Sequence, residues 1–294
     1  MGTLSKKVKI VALVTNTAKD PDFEYMGRVY ALLNSRGAEV RVPIAYKGDL
    51  PESFEVSYFE ENELYCGADA AIVLGGDGTI LKAAPEAIKN GTPILGVNLG
   101  RVGYMADVGL DDIDCIGRLF EGKYAISERM TLKVETEDSH GRTCVYENAL
   151  NDAVLHCSAI GKVQGLSVYH GGALVADHRG DGIVITTPTG STAYSMSAGG
   201  PVLDPSLECI CITPICSLSP AARPIVFSVD REISMEVARD NRAGLFLSCD
   251  GFDCAELSVD TKIIISRSEK KAKLISLEDE EFFKVLRKKT ISAI

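Results

Sequence analysis

Apolar residues in the first part of the chain fall into short, β-branched runs separated by longer helical patterns. Residues 8–14, 39–42, 70–74 and 93–97 are runs of the first kind and predict strands. Residues 22–36 carry Phe23, Met26, Val29, Tyr30 and Leu33 at helical spacing, and Gly37 follows as a stop. A second helical pattern runs from Ile80 to about residue 90, and a third over 110–121. Strand and helix in alternation predict a mostly parallel α/β sheet. Residues 44–62 are polar and rich in turn formers, which predicts a loop and makes them a candidate lid over a site. The texture changes near residues 124–130. From Thr131 onward, short β-rich runs follow one another at 132–136, 163–169, 173–176, 182–186, 208–213, 224–227, 232–238, 245–248 and 262–266, with turn residues between them. That pattern predicts a second, all-β domain of the sandwich type. Residues 279–289 return to a helical pattern, with Phe282, Phe283, Val285 and Leu286 on its apolar side.

Composition narrows the partners. The chain has 294 residues, enough for two domains, and its 46% hydrophobic and 24% charged content is that of a soluble globular protein. A net charge of −10 without a basic cluster disfavours nucleic acid, and an anionic substrate must be held by local donors. No apolar run reaches membrane-spanning length. Lysines precede the first apolar run, as in a signal peptide, but the run is short and alternates like a strand. A cytoplasmic protein with no membrane partner is therefore expected. The nine cysteines contain no C-x-x-C pair, so buried, reduced thiols are expected rather than a zinc site or a disulfide framework. The four histidines lack metal-ligand spacing.

The chemistry concentrates in residues 70–84, AAIVLGGDGTILKAA. A buried strand, a glycine turn and a helix start make an anion site, because bare N–H groups and the positive end of the helix dipole face the turn. Asp77 is the odd residue there, since a carboxylate repels phosphate unless a cation or a hydroxyl donor stands between them. It reads as a Mg²⁺ contact, as a polariser of a substrate hydroxyl, or as an ordinary turn Asp. The glycines do not form a dinucleotide fingerprint, because Leu81 takes the third glycine position. No Walker loop is present either: Gly122-Lys123 runs into Tyr124 and Gly161-Lys162 into Val163. A second constellation, residues 187–201, offers small hydroxyl side chains and Tyr194. Thr189 or Ser191 can cap a short helix there, and Tyr194 can either stack on a base or fill the core.

GGDGT together with Asn98-Leu99-Gly100-Arg101-Val102-Gly103-Tyr104, Asn148-Ala149-Leu150-Asn151-Asp152 and the 187–195 segment resembles the motifs of the NAD kinases, in the same order and over most of the chain. GGDGT alone is shared with diacylglycerol and sphingosine kinases. The resemblance implies a Rossmann-like α/β domain over residues 1–126, a β-sandwich NAD-binding domain over 127–273, and a C-terminal segment from about 274 to 294 that returns to the first domain. It implies transfer of a phosphoryl group from ATP, or from polyphosphate, to the 2′-hydroxyl of the adenosine ribose of NAD, with Mg²⁺ or another divalent cation held mainly by the nucleotide phosphates. Asp77 then orients or activates that hydroxyl, and Gly78 lets the substrate approach the backbone. Asn151 hydrogen-bonds NAD. Asp152 stands where many relatives carry Glu and is one methylene shorter. Tyr104, where Phe is common, forms an apolar wall, and Arg101 either meets a phosphate or stands in solvent. Thr192, Ala193, Tyr194 and Ser197 correspond to nucleotide contacts. Arg179 and Asp181 correspond to a polar cluster supplied by a neighbouring subunit, which implies a homodimer or homotetramer. Asp250-Gly251 matches a late acidic-glycine turn, but Phe252 follows where a polar residue is expected, and no catalytic role is assigned to it. Two other classes compete: a lipid kinase, for which no basic membrane-facing patch is evident, and a nucleotide sensor that binds without turnover.

Overall fold

The computed structural model describes residues 8–100, 103–157, 162–239, 244–277 and 285–287. The chain divides into two compact units, Met1–Glu128 with Ala272–Ile294, and Arg129–Lys271.

The first unit is built on β1 (Ile10–Thr15), α1 (Glu24–Ser35), β2 (Glu39–Pro43), β3 (Ser57–Phe59), β4 (Ala70–Gly75), α2 (Asp77–Asn90), β5 (Ile94–Asn98), β6 (Ala106–Val108) and β7 (Ala125–Arg129). The sheet order is β3-β2-β1-β4-β5, followed by the strand Ala272–Ser276 and then β7, with β6 also paired to β5. The pairs among β1 to β6 are parallel. Every residue of β4 and β5 is buried, as a strand covered on both faces requires, and this explains the unbroken apolar runs. The α1 helix starts later than its apolar pattern suggests. Phe23 adopts a left-handed conformation, and the buried Asp20 carboxylate caps the helix by accepting the N–H groups of Tyr25 and Met26. Residues 110–121 do not form a regular α-helix. Leu110–Leu119 is a 3₁₀ helix kinked at Asp112.

The 44–62 segment is not simply a loop. Ile44–Tyr46 forms a 3₁₀ turn, Ser57–Phe59 adds the edge strand, and Tyr46 and Leu50 are buried in the core. Tyr46 is pinned from both sides: its hydroxyl donates to the Thr15 carbonyl at 2.8 Å and accepts the Thr15 N–H at 3.1 Å. Of the predicted C-terminal helix, Val285–Arg287 is helical and the rest lies outside the described residues.

The second unit is a β-sandwich. Its strands are β8 (Leu132–Glu137), β9 (Thr143–Ala149), β10 (Asp152–Cys157), β11 (Gln164–His170), β12 (Ala173–Gly180), β13 (Gly182–Thr186), β14 (Cys209–Ile215), β15 (Ile225–Ser228), β16 (Ile233–Val237), β17 (Leu245–Cys249), β18 (Phe252–Leu257) and β19 (Lys262–Arg267). The short helix α3 (Tyr194–Ser197) follows β13. One sheet runs β15-β14-β13-β10-β17-β18 and the other β12-β11-β16-β19-β8-β9. Their alternate residues meet in one core, with Leu155, Ile185, Ile212 and Leu247 from the first sheet and Val134, Val168, Met235 and Ile265 from the second. The fold is thus an α/β domain plus a β-sandwich. β9, β10 and β18 are not evident as strands in the sequence: polar residues dilute the alternation in β9 and β18, and the apolar run of β10, Ala153–Leu155, is only three residues long. The cysteines also depart from expectation: Cys209 and Cys211 are buried, whereas Cys66, Cys144 and Cys216 are exposed and the others half-buried. No helix among the described residues is long and apolar enough to cross a membrane.

Candidate active site

In the first unit the site is built at the carboxyl ends of the parallel strands, where open α/β sheets bind ligands. β1, β4 and β5 end side by side: the Asn16 N–H donates to the Leu74 carbonyl at 2.8 Å, and the Leu99 N–H to the Gly75 carbonyl at 2.8 Å. The chain leaves β4 at Gly76 and enters α2 at once, so Asp77 is the first helical residue rather than a turn residue. Gly75 has to be glycine, because a Cβ there would lie 2.2 Å from Thr79 Oγ1. That hydroxyl is itself placed by two donors, Asn16 Nδ2 at 3.2 Å and the Gly76 N–H at 3.4 Å.

The Asp77 carboxylate is fixed by backbone. Oδ2 accepts the Tyr104 N–H at 2.8 Å and Oδ1 accepts the Met105 N–H at 3.1 Å. Each oxygen keeps lone-pair capacity for a further donor. Gly78 is exposed, with open space where a side chain would be. Tyr104 is half-buried; burial first, and then the Asp77 charge, push its phenol up. Arg101 lies outside the described residues.

Beside this turn the first unit holds a cavity of about 1140 Å³, whose lining includes Asn16, Lys19, Tyr46, Glu60, Thr79 and Lys82. A methyl group placed on Gly76 or on Gly100 would lie 3.6 Å from Lys19 Nζ, so the ammonium stands over both glycine loops. Sequence reasoning missed Lys19. The signal available was its position in the polar loop directly after β1.

In the second unit the predicted residues cluster around the start of β10. Asn151 and Asp152 are buried, and their backbone is bound on both sides. The N–H groups of Leu150, Asn151 and Asp152 all donate to the Asp250 carboxylate, at 2.7, 2.7 and 3.1 Å. Thr187 Oγ1 donates to the Leu150 carbonyl at 2.6 Å, and Thr186 Oγ1 and the Thr187 N–H donate to the Asn151 carbonyl, each at 2.9 Å. Gly190 packs on that carbonyl so closely that a Cβ would approach it to 2.1 Å. The backbone is therefore satisfied, but Asn151 Oδ1 is buried with no hydrogen-bond partner among the described residues. A buried acceptor without a donor is costly in the free protein and marks a position awaiting a ligand group or water. The Asp152 carboxyl is pushed up to about 7, by burial first and then by the Asp250 charge.

The 187–201 segment folds as a 3₁₀ turn, Thr189–Thr192, followed by α3. Neither Thr189 nor Ser191 caps a helix by its side chain. Ser191 Oγ instead donates to the Pro188 carbonyl at 2.6 Å and accepts the Leu203 N–H at 2.9 Å, tying the loop to itself. Thr192 is buried, Ala193 half-buried, and Ser197 exposed. Tyr194 is 47% exposed, so it does not belong to the core. Arg179 and Asp181 are both exposed at the end of β12 and the turn that follows. His178 between them and the core is buried, and burial pushes its imidazole down.

Two family models together match most of the chain. Residues 11–124 match the model of the ATP-NAD kinase N-terminal domain, and residues 150–277 that of the ATP-NAD kinase C-terminal domain. A NAD kinase of Lachnoclostridium phytofermentans is 34% identical over 288 residues, covering 96% of this chain and 99% of that protein. One from Acetivibrio thermocellus is 36% identical over 284 residues, covering 95% and 96%. Among solved structures, an NAD kinase from Archaeoglobus fulgidus in complex with ATP aligns with a TM-score of 0.72 at 25% identity, covering 96% of this chain and 99% of that one. Yeast NADH kinase complexed with NADH aligns with a TM-score of 0.86, covering 96% and 87%; at 21% identity that likeness speaks for the fold. A GGDGT segment at the head of a helix that follows a buried strand, on an α/β domain joined to a β-sandwich, is that of a phosphotransferase with an alcohol group as acceptor. Within that class the chain belongs to the NAD kinase family.

Proposed function

We propose that this chain transfers the terminal phosphoryl group of ATP, in the presence of Mg²⁺, to the 2′-hydroxyl of the adenosine ribose of NAD, giving NADP, in the cytoplasm and as a homodimer or homotetramer. The observation that carries this reading is the Asp77 carboxylate, immobilised by two N–H groups beside an open glycine turn and still able to accept a hydroxyl proton. A carboxylate so held orients the ribose hydroxyl and takes its proton as the bond to phosphorus develops. In this reading the ATP triphosphate, or polyphosphate, lies in the first unit's cavity, where Lys19 and Lys82 offset its charge. NAD is held by Asn151, whose unpartnered Oδ1 accepts an amine or hydroxyl of the adenosine. Asp152, Thr192, Ala193 and Ser197 provide further nucleotide contacts, and the exposed ring of Tyr194 stacks on the base. Tyr104 forms an apolar wall by its ring. Arg101 is retained as a phosphate contact from its motif position alone. Arg179 and Asp181, both exposed, are available to a second subunit.

The donor set fits a divalent cation bound chiefly through the nucleotide. Among the described residues no group of three or more His, Cys, Asp or Glu side chains forms a cage. Mg²⁺ commonly takes most of its ligands from phosphate oxygens and water, with one or two carboxylates, and Asp77 is the carboxylate at hand. When bound, the ion neutralises charge on the transferring phosphate.

The test is an enzyme-coupled assay for NADP with purified protein, Mg²⁺, ATP or polyphosphate, and NAD, run beside Asp77→Asn. NADP from the wild type and a loss of about 100-fold or more in kcat for the variant is the expected result. Phosphorylated lipid in place of NADP, or nucleotide binding without product, overturns the reading.

A further inference from the structure

The β17–β18 hairpin turn reaches across to the start of β10. Asp250 and Gly251 form the two-residue loop between Cys249 and Phe252, both at positive φ (52° and 81°), the conformation for which Asp-Gly is a favoured pair in hairpins. The Asp250 N–H donates to the Asp152 carbonyl at 2.9 Å, and both of its carboxylate oxygens reach back across the sheet to residues 150–152. Oδ1 takes the Asn151 and Asp152 N–H groups and Oδ2 takes that of Leu150. The neighbouring ladder pairs Ala153 with Cys249, and the Asp250 contacts continue that β10–β17 pairing by one backbone bond and a side chain. Three donors on one carboxylate leave it little capacity to bind a substrate directly. They do fix the peptide planes on both sides of Asn151.

We propose that Asp250 is a positioning residue for the nucleotide. Its carboxylate and the Thr186–Thr187 hydroxyls form a clamp that sets the Asn151 and Asp152 side chains for NAD. This inference rests on the NAD kinase reading above. Four hydrogen bonds tie Asp250 to residues 150–152. Removing the clamp lets the 150–152 segment sample other orientations, and binding of NAD then bears the cost of ordering it. The donor nucleotide, held in the first unit in this reading, is not affected.

Asp250→Asn tests this. The amide keeps the size of the carboxylate but turns an N–H₂ towards one of the three N–H donors. Steady-state kinetics with NAD and ATP varied separately should give a KM for NAD at least about 10-fold higher, with the KM for ATP within about two-fold. A merely structural role would lower the active fraction and leave both KM values in place, and that result overturns the proposal. Hydrogen exchange on the wild-type protein is the second measurement and does not depend on the variant folding. The amides of 150–152 should be as protected as those of β10, and rapid exchange at all three overturns the clamp. Wild-type protein that forms no NADP fails at the earlier step and removes the reaction on which the inference rests. Normal wild-type turnover with an unchanged KM for NAD in Asp250→Asn refutes the positioning role alone.

Discussion

A methyl group on Gly103 would stand 2.0 Å from Asp77 Oδ1, in space the carboxylate already fills. The glycine and the acid, 26 positions apart in sequence, thus specify one geometry. Only a residue without Cβ lets the 103–105 backbone close on Asp77 and donate two N–H groups to it. Gly103→Ala has to push either the carboxylate or the loop aside, and at least one N–H bond is lost. The clash is with the Asp77 carboxylate itself, so the change falls first on the site. We expect kcat to drop about 100-fold, on the scale of a displaced acid–base group, with a melting temperature within a few degrees of wild type. Near-normal turnover in Gly103→Ala would mean that the Asp77 position seen here is not the working one.

The sequence made Asp77 legible because strand, glycines and acid are contiguous there. Its partners were not legible, since the two N–H groups belong to backbone 27 and 28 positions away and carry no side-chain signature. The same limit hid the partners of Asp250, which the sequence singled out only as an acidic-glycine turn; its link to residues 150–152 spans about 100 positions and exists only because β10 pairs with β17. The loop expected over 44–62 is only partly a loop, because composition counts Tyr46 as one aromatic in a polar stretch. Its hydroxyl has a buried backbone partner at Thr15, which turns the start of that stretch into core.

Asp152 carries a pH signature. Burial, and then the Asp250 charge, raise its carboxyl to about 7 from an ordinary value near about 4. The titratable groups around it are Asp250 and Cys249; burial raises Asp250 against its three N–H bonds, and the Cys249 thiol is held high by contact with Cys254 and by burial. The folded state binds the Asp152 proton more tightly than the unfolded chain does. Its contribution to stability is therefore fully present below about pH 4 and is lost as pH rises through about 7. Asp152→Asn removes that loss. The variant should melt a few degrees above wild type at pH 8, and the difference should close as pH falls to about 4. Equal melting temperatures at both ends would place the Asp152 titration in the ordinary carboxylate range.

Lys19 separates the two substrates. Its ammonium is exposed, stands over Gly76 and Gly100, and lines the first unit's cavity. If the triphosphate lies there, Lys19→Ala should raise the KM for ATP about 10-fold, one charge-assisted contact's worth. The KM for NAD should change by less than about two-fold, and the ATP effect should shrink at high salt, since the cation is exposed. A rise in the KM for NAD with that for ATP unchanged would reassign the cavity to the acceptor.

Asn151 should reveal its role by what its loss does not harm. The backbone around it is held by Asp250, Thr186 and Thr187, while its Oδ1 is buried without a partner. An unmatched buried acceptor lowers stability by about 1–3 kcal/mol in the free protein. Asn151→Ala removes that acceptor but leaves a small cavity, and the two effects oppose one another. The melting temperature should therefore move by no more than a few degrees, whereas truncating a fully paired buried asparagine would lower it clearly. The KM for NAD should rise at least about 10-fold in the same variant. Stability kept and affinity lost is the signature of a residue retained for a ligand, because natural proteins hold such groups against their own stability. A large fall in melting temperature with NAD affinity intact would make Asn151 part of the sandwich's scaffolding and leave the adenosine to the residues of the 192–197 loop.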